Sequence, residues 1–488
     1  MTSAAIPAIE TICERASRAI MHRIAVNKKA DELNSDTVIG DDGIAQLHAA
    51  VRSYRKQLRA LHNAVQSGKP RQVSEAKKRI FDSFAAKLIA TVRATQDNKI
   101  HLSYAQLEKR ANNLSLHQVF HETLTIFPDP KCGKPGEWRP LGRPGQYRRA
   151  QQLILCDVLL VMIGDSPCDS TVADAGGEIG LFETLNSAIA EGFVYWTSLD
   201  LRNFFPSLKP GHLAGFPLSQ WIMENIVFLP PETPIKFIDT TYGLELTEET
   251  VLKGDANDLP KTYPYSMDDI RSKLKMVRQG LIQGDVCAPQ IARTFLGREL
   301  QRVLGKRDAA FGSHIDDMLL GACTQPEAKT SLKALIQHLK CHPAGPLELH
   351  EHEIRHINDD ICYLGYRISL DKNGAMRVRP AMKRFDRFRH RLGDKFENSD
   401  AFTKQELLDT GLEYARQWFR SQRAWTKAEI GIGSSKCEGP SWDHVVSEVE
   451  LAVNRFIYDE YFKGIGNWHD GDIDFEMLKL AGCVDDLQ

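Results

Sequence analysis

Two adjacent aspartates, Asp316 and Asp317, sit between short apolar flanks in "FGSHIDDMLLGA" (311–322). Neighbouring carboxylates repel each other, and each resists losing water. A solvated turn tolerates such a doublet, because Asp favours turns. A divalent-metal site uses it, because hard oxygens suit Mg²⁺ and the ion's charge relieves the repulsion. A third carboxylate, Asp200, ends the strand-like part of "SLDLRNFFPSL", where it could equally cap the strand end. Converging strand ends would gather all three. Three carboxylates suffice for two Mg²⁺ ions when phosphates and waters complete the octahedra. Two such ions about 3.5–4 Å apart can activate an attacking 3′-hydroxyl and stabilise a leaving pyrophosphate.

The elements around these residues follow from periodicity and punctuation. Apolar positions recur at three and four over residues 43–95, which predicts helices, and "SGKP" (67–70) splits them into two. "FPDPKCGKPGEWRPLGRP" (127–144) reads as a basic hairpin or loop, and "YRRAQQLILCDVLLVMIG" (147–164) as a helix buried along most of its face. "GFVYWTSLDLRNFF" (192–205) has the β-branched and aromatic content of a core strand. "GLIQGDVCAPQIARTFLGRELQRVL" (280–304) reads as a Gly-rich turn opening a helix, 311–322 as a hairpin and "ICYLGYRISL" (361–370) as a strand. Residues 380–463 return to helices. Helices, a mixed centre and helices again predict an α+β body with helical ends.

The 488 residues are 42% hydrophobic and 26% charged, globular material for two or three domains. With no apolar run of membrane-spanning length and no signal-peptide layout, the expectation is a cytoplasmic protein with no membrane partner. The ten cysteines form no CxxC pair, so free thiols are expected rather than structural zinc. The net charge of −2 hides an asymmetry: residues 51–150 carry 20 Lys and Arg against 7 Asp and Glu, and Arg377 to Lys427 is again basic. The segment after Glu438 is acidic. Two basic regions flanking a near-neutral centre suit a polyanion groove, which makes nucleic acid the expected partner.

Six segments, in order along residues 50–370, resemble the motifs of reverse transcriptases of the bacterial, group II intron-like branch. They are "AKKRIFDSFAAKLIATVRATQDNK" (76–99), "EWRPLGRP" (137–144), "DLRNFFPSL" (200–208), "GLIQGDVCAPQIA" (280–292), "HIDD" (314–317) and "YLGY" (363–366). The resemblance implies a right-hand polymerase: a helical N-terminal extension (1–115), fingers and palm with antiparallel sheet (116–370), and a helical thumb-like region with an acidic tail (371–488). It implies RNA-directed DNA synthesis with two Mg²⁺ ions, or Mn²⁺, on Asp200, Asp316 and Asp317, with Leu201 in the metal set. Phe205 would lie under the incoming sugar and select deoxynucleotides. Gln283 and Gly284 would line the nucleotide pocket, Gly284 allowing close approach of sugar and base. Arg139 would clamp the triphosphate, with Lys131 and Lys134 as weaker candidates. Leu364 and Gly365 would position the primer end. Arg384, Arg387, Arg391, Trp418 and Trp425 would hold RNA by charge and stacking.

The sequence also departs from the pattern. His314 replaces the usual tyrosine, and Asp285 stands where a small residue is common. Ile282 and Ala288 replace Pro and Ser. The lysine expected before "YLGY", a general acid for pyrophosphate, has no match; His350, His352, Arg355 and His356 stand nearby instead, and histidine could donate that proton. Without a recognisable endonuclease or RNase H region, the chain looks most like the solitary antiphage-defence ("unknown group" or abortive-infection-type) enzymes. The implied partners are a structured non-coding RNA template, deoxynucleoside triphosphates and a DNA product, with a homo-oligomer left open. Three alternatives stay open: a domesticated maturase that binds structured RNA, an RNA-dependent RNA polymerase and a non-catalytic defence scaffold.

Overall fold

The computed structural model describes residues 5–30, 39–95, 102–131, 136–163, 178–255, 258–350, 353–370, 374, 376–381 and 387. The N-terminal part is helical: α1 (Ala5–Ala30), α2 (Asp41–Gln66), α3 (Pro70–Asp82), α4 (Phe84–Ala94) and α5 (Tyr104–Asn113). Gly68 turns the chain at φ +65° and Pro70 opens α3, which places the expected break. A second break falls at Ser83. Its hydroxyl accepts a hydrogen bond from the Ala86 N–H (3.3 Å) and caps α4, so residues 43–95 form three helices rather than two.

The hairpin of β1 (Leu124–Pro130) and β2 (Trp138–Arg143) pairs from Thr125↔Arg143 to Pro130↔Trp138. Next comes α6 (Gln146–Ile163), buried on nearly every side. Its polar side chains are spent on distant segments. The Gln151 Nε2 donates to the Ser115 and Gln118 carbonyls, and Asp157 accepts from Tyr54 Oη (2.9 Å) and Arg93 (2.6 Å).

After α7 (Glu178–Ala190) runs β3 (Tyr195–Asp200). The expected strand over 192–205 thus ends at Asp200: Leu201 bridges to Leu349, Asn203 is left-handed (φ +49°), and α8 (Phe204–Ser207) begins. The short α9 (Gln220–Ile222) passes into a π-helical turn, Met223–Val227. Then β4 (Ile235–Asp239) lies parallel to β1 and antiparallel to β5 (Leu244–Thr247), completing a sheet of order β2-β1-β4-β5. Following α10 (Glu248–Lys253), α11 (Met267–Gln279) packs Ile270, Leu274 and Val277 into one core with Trp138 and Phe237. Each such side chain contributes roughly 1.5–3 kcal/mol by leaving water.

A second sheet, β6-β7-β3-β8, follows α12 (Ala288–Leu304). It contains β6 (Ala310–His314) and β7 (Asp317–Ala322), then, after α13 (Gln325–Lys340), the short β8 (Arg355–His356). It shares a core with α1, α2, α4, α6 and α12. The third sheet is antiparallel: β9 (Ile361–Tyr363), β10 (Tyr366–Leu370) and β11 (Met376–Pro380). The single strand expected over 361–370 is therefore two, because Leu364 (φ +50°) and Gly365 (φ +78°) reverse the chain.

The fold is mixed α+β, with sheets that are antiparallel except at β1–β4. Among the described residues six cysteines are free, and no helix is long and apolar enough to cross a membrane. The helices expected after residue 381 lie outside the described residues, apart from Arg387.

Candidate active site

Antiparallel pairing of β3 with β7 sets Asp200 directly opposite Asp317. The β6–β7 hairpin pairs His314 with Asp317, leaving Ile315 and Asp316 as its two-residue turn. Ile315 takes φ +59°, a conformation a β-branched residue resists at a cost of about 1–3 kcal/mol. That strain puts Asp316 beside the strand pair. Burial pushes the Asp317 carboxyl up to about 7, with Asp316 and Asp200 adding repulsion and Arg139 opposing it. Asp316 is raised too, by burial first and then by Asp200, against its own backbone hydrogen bond, Arg139 and His314. Three hard-oxygen donors, with Asp316 and Asp317 both raised in proton affinity, suit a divalent cation in kind. Their side chains are not gathered around one point: among the described residues no group of three or more His, Cys, Asp or Glu closes on a metal position.

A cleft of about 570 Å³ opens over this strand pair. Asp200, Leu201 and Asp316 line it from the second sheet, Arg139 from β2, Phe205 from α8 and Gln283 from the turn before α12. The two glycine-bearing segments are fastened face to face. The Gly142 N–H donates to the Gln283 carbonyl (2.6 Å), and a Cβ on Gly284 (φ +97°) would lie 2.4 Å from the Gly142 oxygen. A side chain at 284 would therefore collide with β2: this glycine admits the β2 backbone at Gly142, and Arg139 of that strand and Gln283 line the same cleft. Gly284 itself is not in the cleft wall, and neither is Asp317.

Below that turn, Asp285 is anchored to α6. Arg148 pairs with it at 3.3 Å, with side chains only 6% and 1% exposed, and the Gln152 Nε2 donates to it at 2.7 Å. Arg148 also donates to the Val227 and Phe228 carbonyls, and Gln152 to Ile226, all presented around the π-helical turn. Burial nevertheless lifts the Asp285 carboxyl, since Arg148 and Gln152 only partly offset it. Asp285 Oδ1 and Arg148 Nε have no hydrogen-bond partner. The departure from a small residue at 285 is thus a structural ion pair, with a partner 137 positions away.

The other expected residues distribute as follows. Phe205 is buried, edge-to-face with Phe204, and its carbonyl accepts from the Leu281 N–H (2.9 Å). Lys131 lines the cleft but is tied to Glu137 at 3.0 Å. Leu364 and Gly365 form a turn outside the cleft wall, joined to the site through Tyr363, whose hydroxyl donates to the Asp317 carbonyl (3.0 Å). Of the candidates for the missing lysine, His350 lines the cleft with Nε2 3.9 Å from an Asp200 oxygen, held there by its N–H on the Asp200 carbonyl (3.0 Å). Arg355 instead pairs with Glu353, and His356 packs edge-on against Tyr195. Arg387, expected on an RNA face, lines the cleft itself. Lys134, His352, Arg384, Arg391, Trp418 and Trp425 lie outside the described residues.

Arg202 lies inside the 200–208 motif but was given no role, and no motif revealed Met276 or Lys273, whose ammonium stands 5.9 Å from the Trp138 ring centre. The latter two reach the cleft only because α11 packs under β2, a contact no short spacing encodes.

Comparison of the sequence with protein-family models and with curated proteins finds no match. Among solved structures, the fold is distantly similar to telomerase from Candida albicans in complex with a TWJ fragment of telomeric RNA. The TM-score is 0.33 at 9% sequence identity, covering 76% of this chain and 64% of that one. This chain therefore spans less than two thirds of the telomerase chain.

Proposed function

We propose that this chain is a template-directed nucleotidyltransferase of the reverse transcriptase type. In that reading the second sheet is the palm and the β1–β2 sheet belongs to the fingers. Residues 1–115 are the N-terminal extension and 371–488 the thumb. One observation carries it: Asp200 and Asp317 pair across β3 and β7, with Asp316 in the adjoining turn, under a cleft shared with Arg139, Phe205 and Gln283. Two Mg²⁺ ions, or Mn²⁺, on Asp200, Asp316, Asp317 and Leu201 would neutralise phosphate charge and make a 3′-hydroxyl more acidic. The chain's own groups do the remainder. Arg139 holds the triphosphate through its planar fork of donors. Phe205 closes the space that a ribose 2′-hydroxyl needs. Gln283, fixed by Gly142, bears on the nucleotide, and His350 holds a proton within reach of the leaving group.

Extension of a DNA primer on an RNA template with deoxynucleotides tests this. The double variant Asp316→Asn, Asp317→Asn should lose roughly a thousandfold or more, several kcal/mol of transition-state stabilisation. Retained extension refutes the assignment. The proposal extends to a cytoplasmic antiphage role with a structured non-coding RNA as template. Sequencing of co-purifying nucleic acid, and phage plating on cells carrying the double variant, test that extension.

A further inference from the structure

The 200–213 segment is clasped at two points by the 342–350 span that follows α13. At one point the bonding is sheet-like: the Arg202 N–H donates to the Glu348 carbonyl (2.8 Å), Leu201 bridges to Leu349, and the His350 N–H donates to the Asp200 carbonyl (3.0 Å). At the other stands His212, in the 3₁₀ turn Pro210–Leu213 and only 4% exposed. Its Nδ1 accepts from the Lys209 N–H (3.1 Å), so its Nε2 carries the proton and donates to the Gly345 carbonyl (3.0 Å). The ring lies flat on His342, with centres 4.6 Å apart and planes 13° from parallel, and the Phe295 ring stands edge-to-face with both. Both ring nitrogens of His212 are therefore engaged, and stacking holds the ring in the plane that they require.

Only Pro346 and Leu347 separate Gly345 from Glu348. Pro346 has a fixed φ and Leu347 is buried, so the link between the two points is short and stiff. The Leu347 N–H returns to the Leu339 carbonyl (3.0 Å), which ties the span to its own helix. Its angle over the 200–213 segment needs a second point on that segment, and His212 supplies it. His350 lies at the far end, with Nε2 3.9 Å from an Asp200 oxygen. We propose that His212 is a positioning residue of the cleft: by holding Gly345 it sets the angle of the 342–350 span and so keeps the His350 imidazole against Asp200. His212 is not in the cleft wall and acts only through the span. This role rests on the reading of His350 as the proton holder in nucleotidyl transfer, while the clasp itself is measurable without any reaction.

Hydrogen exchange of the full chain, read by mass spectrometry on peptides that carry the Arg202 and His350 amides, tests the clasp. His212→Phe keeps a flat ring against His342 but neither donates nor accepts. These amides should then exchange about fivefold faster or more, while those of the β1–β2 hairpin keep their rates. His212→Gln, which can still donate to Gly345, should restore protection. His342→Leu, at a half-buried position, removes the stacked ring and gives the same reading should His212→Phe fail to fold. In primer extension, His212→Phe should lower kcat about tenfold or more with little change in the nucleotide KM. In a His350→Ala background the same change should lower kcat no further. Unchanged exchange in His212→Phe and His342→Leu overturns the proposal, whether or not the chain extends primers. So does exchange in His212→Gln as fast as in His212→Phe, or a kcat loss of equal size in the His350→Ala background. Faster exchange in a chain that extends nothing upholds the clasp and counts against the nucleotidyltransferase reading alone.

Discussion

Removing Asp285 alone should be far more damaging than removing it together with its partner. In Asp285→Ala the Arg148 guanidinium keeps only the Val227 and Phe228 carbonyls, in a place where its side chain is 6% exposed. A buried charge stripped of its counter-ion costs about 3–5 kcal/mol. Arg148→Met leaves the carboxylate with Gln152 alone and orphans two carbonyls, so its cost is of the same order. In the double variant Arg148→Met, Asp285→Leu no charge is buried, and what is lost is the hydrogen bonding of those carbonyls and of Gln152, roughly 1–3 kcal/mol. The raised Asp285 carboxyl supports this ordering, because burial already outweighs the stabilisation from Arg148. Urea unfolding followed by tryptophan fluorescence reads the three variants. The double variant should be more stable than either single one. Single losses below about 1 kcal/mol, or a double loss equal to the sum of the singles, would refute the buried-pair reasoning.

Phe205→Val should raise ribonucleotide incorporation while deoxynucleotide use persists; unchanged sugar selectivity in a competition assay places the gate elsewhere. Gly284→Ala should cost roughly 2–4 kcal/mol through its left-handed φ and the overlap with Gly142, and raise the nucleotide KM as β2 is pushed off Gln283. His212 bears on acid stability: burial first of all holds its imidazole below the ordinary range, and the neutral ring accepts from the Lys209 N–H and donates to the Gly345 carbonyl. The unfolded chain then takes up a proton that the fold resists. Stability is full above the ordinary value of 6.5 and is lost as pH falls through the lower folded value. His212→Gln should flatten that loss between about pH 7.5 and about pH 5.5 in urea unfolding, and equal pH dependence in both proteins counts against it.

What the sequence disclosed was local. The Asp316–Asp317 doublet, the strand ending at Asp200 and the turn before α12 each announce themselves by residue type within a dozen positions. The structure brings Asp200 and Asp317 into register as the strand reading requires. Interruptions inside apolar runs were harder to see. Ser83 ends one helix and caps the next, while Leu364 reverses a strand although leucine carries no turn signal. Long-range partners were invisible. Asp285 read only as a departure from a small residue because Arg148 and Gln152 are more than 130 residues away, and nothing near Gly284 in the sequence pointed to Gly142, against which it lies. The strands β4 and β5 were not anticipated either, because their sequences carry no punctuation that separates a short strand from its surroundings.

The polar side chains of α6 have a consequence for assembly. Turning that helix by one residue rotates every side chain by about 100°. A slip of that kind in a purely apolar helix would exchange one greasy surface for another and leave a near-degenerate alternative. Here it would detach Arg148, Gln151, Gln152 and Asp157 together from acceptors and donors in five other segments, at roughly 1–3 kcal/mol apiece. Misdocked rotations are therefore disfavoured by several kcal/mol before any packing is considered. One rotational setting of α6 survives, and with it the 282–286 turn and the helices behind it have a single orientation in which to settle.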